Sequence, residues 1–207
     1  MKIVLISDSH GQHHHLELPA GDVLVHAGDF SRSGKPDQAK DFLRWLAEQP
    51  FRHKIFVAGN HDFIAEQEPA LFRSWVPDNC IYLEDQQVEV DGMRVWGSPI
   101  TPWFFDWAFN RRRGGEICRH WDFIPGGLDL LITHGPPAGI LDLTARGEHV
   151  GCEDLRKRIE TARPKVSVFG HIHEAYGRTE RDGTSFFNAS VLDLGYRMAN
   201  LPFVIEI

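Results

Sequence analysis

The sequence has few cysteines, no long apolar run and no excess of positive charge. Its 207 residues include only Cys80, Cys118 and Cys152. An odd number of widely spaced cysteines predicts no disulfide framework and is typical of small core residues in a reducing compartment. No apolar stretch reaches the length of a membrane span, and the apolar run at the amino terminus is too short for a signal peptide. We therefore expect a cytoplasmic protein without a membrane partner.

The balance of charge is acidic, with a formal net charge of -7 at pH 7. Broad binding to nucleic acid or to an anionic membrane requires a basic surface, so this charge argues against both. It is compatible with an anionic substrate, because bound cations can reverse the local field. The length fits a single domain over residues 1–207, and neither a repeat nor a linker divides it.

Five apolar runs end in polar turns that carry Asp, Asn or His. The runs are residues 2–7, 23–27, 54–58, 128–132 and 166–169, and each is typical of a buried strand. The turns that follow contain Asp8 and His10; Gly28 and Asp29; Gly59, Asn60, His61 and Asp62; His134; and Gly170, His171 and His173. Open α/β sheets bind ligands at the carboxyl ends of their strands. Because mixed oxygen and nitrogen donors suit manganese, iron, zinc and similar ions, the sequence predicts one site built around a pair of metal ions.

Each turn taken alone also has an ordinary structural explanation. Asp8 can form a turn or cap a helix, and a lone histidine such as His134 is more often a core residue than a ligand. Asp62 either orients His61 or caps the following helix, and we favour the cap. The run His13-His14-His15 could bind a metal ion. Since adjacent residues do not easily share one ion, we expect this run to be a solvated loop at the rim of the site.

Residues 99–115 form an aromatic segment followed by three arginines. The aromatic residues are Trp103, Phe104, Phe105, Trp107 and Phe109, and the arginines are Arg111, Arg112 and Arg113. Aromatic rings beside guanidinium groups can stack a base and hold a phosphate. The alternative is an aromatic cluster packed under a long loop, and we favour this for most of the rings. The arginines are the better candidates for substrate contact.

The remaining pattern predicts an α/β fold with a second sheet. Apolar residues at helical spacing indicate helices in residues 36–49, 65–73 and 153–161. Short strand-like runs at 81–83, 88–90, 94–96, 176–179, 184–188 and 203–207 indicate a second sheet with antiparallel pairs. Asp91-Gly92 and Asp182-Gly183 are typical hairpin turns. We therefore expect βαβ units combined with an antiparallel part.

Taken together and in this order, the five turns resemble the motifs of the calcineurin-like metallophosphoesterase superfamily. A closer resemblance, over nearly the whole chain, is to the metallophosphoesterase-domain-containing proteins first known from vertebrate brain and to their bacterial relatives. The segments that carry it are Pro102-Trp103, Asp106-Trp107, Phe109-Asn110, residues 133–137, Gly151-Cys152, Arg163-Pro164-Lys165, residues 169–174, Tyr176-Gly177 and Asn188-Ala189-Ser190. The resemblance implies two mixed β-sheets packed as a sandwich flanked by helices, in the order α/β/β/α, with a dinuclear metal centre.

The resemblance also implies a role for each motif residue. One ion would be held by Asp8, His10, Asp29 and His173. The other would be held by Asp29, Asn60, His134 and His171, with His61 as the catalytic histidine outside the metal shell. Some vertebrate members that are weak, nucleotide-holding enzymes have Gly in place of His171, so the histidine here implies an intact second site. Phosphoprotein phosphatases continue the Gly-Asp motif with Asp-Arg-Gly, which residues 30–34 lack, and this argues against a phosphoprotein substrate.

We therefore expect a metal-dependent phosphodiesterase for cyclic nucleotides or similar small diesters. Two divalent ions about 3.5–4 Å apart would activate a bridging hydroxide for attack on phosphorus. Manganese is the first choice, with iron, zinc, magnesium, cobalt or nickel as alternatives. His61 would protonate the leaving oxygen, with Asp62 assisting, and Asn60, His61 and the three arginines would contact the substrate.

Two other functions fit the same motifs. One is a nucleotide-binding regulatory protein of low activity, and the other is a phosphomonoesterase or nucleotide pyrophosphatase. In each case the partner is a small phosphodiester or nucleotide, and no stable nucleic-acid partner is expected. The sequence leaves the oligomeric state open.

Overall fold

The fold consists of thirteen strands and five α-helices, in a computed structural model that describes residues 1–207. The strands are β1 (Lys2–Ile6), β2 (Val23–Ala27), β3 (His53–Val57), β4 (Ile81–Tyr82), β5 (Gln86–Val90), β6 (Met93–Ser98), β7 (Thr101–Pro102), β8 (Asn110–Arg111), β9 (Leu130–Thr133), β10 (Val166–Phe169), β11 (Gly177–Arg181), β12 (Thr184–Asn188) and β13 (Phe203–Glu206). The helices are α1 (Pro36–Glu48), α2 (Phe63–Gln67), α3 (Pro69–Trp75), α4 (Gly115–Trp121) and α5 (Glu153–Ala162). None of the helices has both the length and the apolar character needed to cross a bilayer.

The strands form two large mixed sheets. The first sheet has the order β13-β1-β2-β3-β4, with β1 to β4 parallel and β13 antiparallel at the edge. The second has the order β11-β12-β10-β9-β6-β5, in which β12, β10, β9 and β6 are parallel and both edge strands are antiparallel. A separate short pair joins β7 to β8. Each strand that precedes the predicted site is therefore an interior strand of its sheet with at least one parallel neighbour.

Hydrophobic burial arranges these elements in layers. Leu5 and Val25 of the first sheet and Ile132 of the second belong to one fully buried cluster between the sheets. On the outer side, Phe42 of α1 contacts Phe56 of β3 with ring centroids 5.6 Å apart. Helices α4 and α5 contact each other and bury their apolar faces in the same core as β6 and β9. This α/β/β/α sandwich confirms the predicted fold class.

A close approach at Gly170 brings the two sheets together at the site. Gly170 follows β10 in the second sheet, and a Cβ atom there would collide with the carboxylate of Asp8 and with Ser7, which follow β1 in the first sheet. Only glycine leaves room for this contact. The carboxyl ends of β1, β2 and β3 therefore meet those of β9 and β10 at one place.

Several elements differ from the sequence prediction. Residues 81–83 and 203–207 were assigned to the second sheet, which is wrong, because β4 pairs with β3 and β13 pairs with β1. The helix predicted over 65–73 is two helices, since Pro69 has no N–H to continue the first and begins the second. Helix α4 was missed. Both hairpin predictions are confirmed, with left-handed φ angles of 50° and 81° at Asp91-Gly92 and 53° and 81° at Asp182-Gly183.

Candidate metal centre

The first group of metal-type side chains combines Asp8 and His10, which follow β1, with His173, which follows β10. The Nε2 atom of His173 lies 3.4 Å from Asp8 Oδ1 and 3.3 Å from His10 Nε2. Its Nδ1 atom lies 3.1 Å from the backbone oxygen of Asp193, which fixes Nδ1 as the donor to that oxygen. A hydrogen bond from the ring nitrogen that does not bind the ion orients metal-binding histidines. Here the bond from Nδ1 directs Nε2 toward Asp8 and His10.

The second group combines Asp29, after β2, with His134 and His171 from the second sheet. The Nε2 atom of His134 lies 3.3 Å from Asp29 Oδ2 and 2.9 Å from the side-chain oxygen of Asn60. Its Nδ1 atom donates to the backbone oxygen of Ala27 at 2.9 Å. The ring of His171 lies 5.1 Å from the ring of His134, between centroids. This group therefore repeats the chemistry of the first: one carboxylate, two imidazoles and an oriented Nε2.

Asp29 lies between the two groups. Its Oδ2 atom is 3.3 Å from His134 Nε2 on one side and 3.6 Å from His10 Nε2 on the other. Its Oδ1 atom accepts the backbone N–H of His61 at 2.8 Å. One carboxylate oxygen thus faces both groups, which is the position a bridging ligand needs.

Four of the candidate ligands have left-handed backbone angles. The φ angles are 54° at Asp8, 42° at His10, 56° at Asp29 and 68° at His171. This conformation is uncommon for residues with a Cβ atom and costs about 1–3 kcal/mol each, so it persists only where the surroundings enforce it. Such strain is concentrated at functional sites. The sequence contained no signal for it.

Burial and neighbouring charge divide the histidines into two types. Burial lowers the pKa of His10 to about 4 and that of His171 to about 3. Burial also opposes protonation of His134 and His173, but adjacent carboxylates outweigh it and raise each pKa to about 9. Each group therefore contains one neutral and one protonated histidine at pH 7.

The two carboxylates have no cationic partner other than histidine. Asp8 and Asp29 are 0% and 2% exposed, and their only ion-pair partners are histidines. Burial alone would raise the pKa of each, but His173 and His134 respectively hold the pKa of Asp8 and Asp29 well below its ordinary value. Buried carboxylates beside convergent imidazole nitrogens are a donor set that fits divalent transition-metal ions.

His61 lies at the entrance to this cluster. Its Nδ1 atom donates to the backbone oxygen of Arg32 at 2.9 Å, so Nε2 faces inward, 3.9 Å from Asp29 Oδ2. Nε2 is also close enough to His10 for both to reach one ion. Trp107 covers the ring at a centroid distance of 4.3 Å. The position of His61 fits a residue that contacts the substrate. The metal content of a His61 variant distinguishes this role from that of a metal ligand.

Asp62 is not the helix cap favoured from the sequence. It precedes α2, but its side chain makes no capping bond, and no hydrogen bond joins it to the ring of His61. Its carboxylate is fully buried and accepts from Gly59 N at 2.8 Å and from Ser31 N and Oγ at 2.9 and 2.6 Å. Asp62 thus joins the turns after β2 and β3. Because Arg32 follows Ser31 and accepts a hydrogen bond from His61, Asp62 can position His61 through this segment, and its catalytic assistance stays a prediction.

The three arginines have different surroundings. Arg111 pairs with Glu66 at 2.9 Å, and neither Arg111 nor Arg112 lines the cleft over the metal-type groups or the cavity beside it. Both arginines therefore lie outside the two cavities, and their contact with a substrate stays a prediction. Arg113 lines the neighbouring cavity, although its guanidinium already donates to the backbone oxygens of residues 150 and 151.

The aromatic segment forms a wall of the site. Trp107 and Phe104 line the cleft, whose volume is about 260 Å³. Trp103 and Phe105 are 55% and 75% exposed, so the predicted packed cluster is wrong for these two rings. Phe104 and Trp107 are half-buried, and Phe109 is buried as predicted. The segment is held on the site by a hydrogen bond from the backbone of residue 108 to the backbone oxygen of residue 60.

Two further features were not predicted. Tyr196 lines the same cleft, with its ring 5.0 Å from that of His10 and 5.3 Å from that of His173. A second cavity of about 360 Å³ shares Phe104 and His171 with the cleft. An isolated tyrosine in a loop gives no sequence signal, and a cavity depends on contacts between distant segments.

Comparisons with known proteins identify the family. The family model described as calcineurin-like phosphoesterase matches residues 1–175. Metallophosphoesterase domain-containing protein 1 from Homo sapiens and that from Mus musculus are each 39% identical over 230 aligned residues, covering 100% of this chain and 71% of the relative. The crystal structure of TT1561 from Thermus thermophilus shares the fold, with a TM-score of 0.59, 13% identity and coverage of 90% of this chain and 88% of that one. The chain therefore belongs to the calcineurin-like phosphoesterases, a family of phosphoester hydrolases that use divalent metal ions.

Proposed function

We propose that this protein is a metal-dependent phosphodiesterase for small diesters, with cyclic nucleotides and other nucleotide diesters as the first candidates. The observation that carries the proposal is the position of His61 beside two ligand groups joined by Asp29. Its Nε2 atom faces their junction, and a phosphate bound there would have a proton donor next to its leaving oxygen.

The two groups fit a pair of divalent ions. The residues that would hold them are Asp8, His10 and His173 for one and Asp29, His134 and His171 for the other, with Asn60 adding an amide oxygen. When bound, such ions polarise the phosphoryl group and lower the pKa of coordinated water. Manganese is our first choice, since it accepts both carboxylate and imidazole ligands.

The three cysteines are free, which supports a reducing cytoplasmic compartment.

His61 acts on the leaving group. With Nδ1–H held by the oxygen of Arg32, the protonated ring presents Nε2–H to the cleft. Transfer of that proton to the leaving oxygen, as the P–O bond breaks, avoids release of a free alkoxide. Trp107 keeps water from one face of the ring and attracts its protonated form by a cation–π interaction.

The lining of the cleft favours a diester over a monoester. A diester phosphate carries one negative charge, whereas a monoester carries about 1.5 to 2 at pH 7. Beyond the two proposed metal ions, no lysine or arginine lines the cleft to neutralise the additional charge. Arg111, which could have done so, is paired with Glu66.

The second cavity suits the organic part of the ester. Its lining includes Trp103, Phe104, Pro136 and His149, and it opens beside His171. Aromatic side chains stack on nucleobases without requiring one particular base. A nucleotide diester with its phosphate over Asp29 could therefore place its base in this cavity.

Hydrolysis of bis-p-nitrophenyl phosphate and of p-nitrophenyl phosphate tests the proposal, using metal-stripped protein with and without added manganese. We expect manganese-dependent cleavage with a higher kcat/KM for the diester. His61→Ala should lower kcat by about 10²–10⁴-fold while bound metal stays at the wild-type level. The matched control is His15→Ala, because His15 is exposed and lies outside the centre. Loss of metal in His61→Ala would identify His61 as a ligand and overturn its role as acid.

The remaining outcomes distinguish the alternative functions. A preference for the monoester would indicate a phosphomonoesterase, contrary to the charge argument above. Negligible turnover of both compounds by protein with two bound ions would indicate a nucleotide-binding protein. The second cavity gives that outcome a structural basis, and a nucleoside monophosphate retained through purification would support it.

A further inference from the structure

A second cluster of metal-type side chains lies outside the dinuclear centre. Residues His13–His15 form one 3-10 turn that packs against helix α1. The Nε2 atom of His13 lies 3.1 Å, and that of His14 3.0 Å, from the same atom, Asp41 Oδ2. These three donor atoms all lie within 4.8 Å of one another. The turn and the helix therefore direct two nitrogens and one oxygen to a single point.

The sequence predicts a solvated loop whose adjacent histidines do not easily share an ion; the exposure of His14 and His15 agrees with this, whereas His13 is buried. The 3-10 turn places the rings of His13 and His14 side by side, 4.5 Å apart between centroids. The ring of His13 is 1% exposed and packs against Phe42 and Trp45, which fixes its position. The side chains of His14 and Asp41 are 54% and 43% exposed. One side of the cluster is thus rigid, and the other is open to ions and water.

We propose that His13, His14 and Asp41 bind a divalent transition-metal ion, with zinc the best match. Ligand atoms about 2.0–2.1 Å from a tetrahedral zinc ion lie about 3.3 Å from one another. Without an ion, both nitrogens are hydrogen-bonded to Asp41 at 3.1 and 3.0 Å, so a bound ion would replace these hydrogen bonds with little movement of the side chains. Zinc accepts two imidazoles and a carboxylate with water in the fourth position. Magnesium and calcium prefer oxygen ligands throughout.

The surroundings of His13 set the expected affinity. Its Nδ1 atom is buried without a hydrogen-bond partner. In the dinuclear centre, the Nδ1 atoms of His134 and His173 donate to backbone oxygens, and only that of His10 is likewise buried without a partner. Because such partners strengthen metal binding about 10–100-fold, this cluster should bind zinc more weakly than the dinuclear centre by roughly that factor.

The site would act on the dinuclear centre through the chain between them. His10, a candidate ligand of the dinuclear centre, lies three residues before His13 in the chain. The side chain of Gln12 donates to the backbone oxygen of Tyr196 at 3.0 Å, and the Tyr196 ring contacts His10. An ion that joins this turn to α1 would therefore restrain the segment that positions His10.

Zinc stoichiometry measured by equilibrium dialysis and elemental analysis tests the proposal. The wild type should bind a third, weaker equivalent beyond the two of the dinuclear centre. His14→Ala and Asp41→Asn should lose the third equivalent and keep the other two. His15→Ala is the matched control and should keep all three. A wild type that binds no third equivalent, or variants that both retain it, would overturn the proposal.

Modification of the wild-type protein gives an answer that does not depend on how the variants fold. Diethyl pyrocarbonate reacts with accessible histidines, and mass spectrometry measures the rate at each position. At a zinc concentration about ten times the fitted Kd, the rate at His14 should fall about tenfold by mass action, while that at His15 should not change. Equal rates at His14 with and without zinc would refute binding at this cluster.

Discussion

Metal binding to the dinuclear centre should release one proton per ion, because each ligand group contains one protonated histidine. In the metal-free protein, the carboxylates beside His134 and His173 overcome the effect of burial and raise each pKa to about 9. Burial keeps His10 and His171 neutral, with pKa values of about 4 and 3. An ion binds the unprotonated nitrogen, so one proton must leave each group.

The pKa values set the size of the effect. A proton held with a pKa of about 9 weakens the apparent affinity at pH 7 by about 100-fold, or about 3 kcal/mol per ion. The apparent affinity should therefore rise about tenfold per pH unit between about pH 6 and 8. The stability of the metal-free fold has the opposite dependence, since the folded pKa lies above the ordinary 6.5. Its contribution of about 3 kcal/mol per histidine is fully present below pH 6.5 and is lost as the pH rises through 9.

Calorimetric titration of manganese into metal-free protein measures the release. The apparent binding enthalpy at pH 7, in two buffers of different ionisation enthalpy, gives the number of protons released, which we expect to be about one per ion. His173→Gln should lose one ion, and the remaining ion should still release one proton. An enthalpy that is the same in both buffers would refute the assignment of charge in the two groups.

Three further substitutions test how the site is built. Asp62→Asn places an amide among buried N–H and O–H donors and leaves a donor without an acceptor, so the free energy of unfolding in urea should fall by about 1–3 kcal/mol. An unchanged value would show that Asp62 does not link the two turns. Gly170→Ala adds a methyl group that collides with the Asp8 carboxylate, so metal analysis should find that one ion is lost. Retention of both ions would mean that the turn can move aside. Phe104→Ala opens the wall of the second cavity and should raise KM for nucleotide diesters with little change in kcat. The control is Phe105→Ala, because Phe105 is an exposed neighbour, and equal KM values in the two variants would exclude a base in that cavity.

The strands of the site were predictable because buried parallel strands have a distinctive local pattern. The predicted ranges 166–169 and 184–188 match β10 and β12 at both ends. The pairing of β4 and β13 was not predictable in the same way. β13 alternates half-buried and exposed residues, as an edge strand does. Which sheet offers that edge depends on how all the other strands have paired.

The residue types of the site were also predictable, but its geometry was not. Aspartate and histidine after each strand indicated metal chemistry, and strands that end at one edge bring them together. Trp107 gave no such signal, because an aromatic residue is equally expected in a core. Asp62 has the sequence context of a helix cap, yet its carboxylate binds Ser31, which is 31 residues away. Contacts between distant segments decide both roles.

The left-handed backbone at His171 bears on how such a centre could be lost in evolution. A residue with a Cβ atom costs about 1–2 kcal/mol in this conformation, and glycine removes that cost. The His171 side chain is only partly buried, so its removal would widen the cleft rather than leave a closed void. Asp8 and His134 are fully buried, so a substitution there would lower both the activity and the stability of the fold. Selection for either property would remove it. If His171 holds an ion as proposed, a descendant released from the need for turnover would be expected to lose the ligand here first.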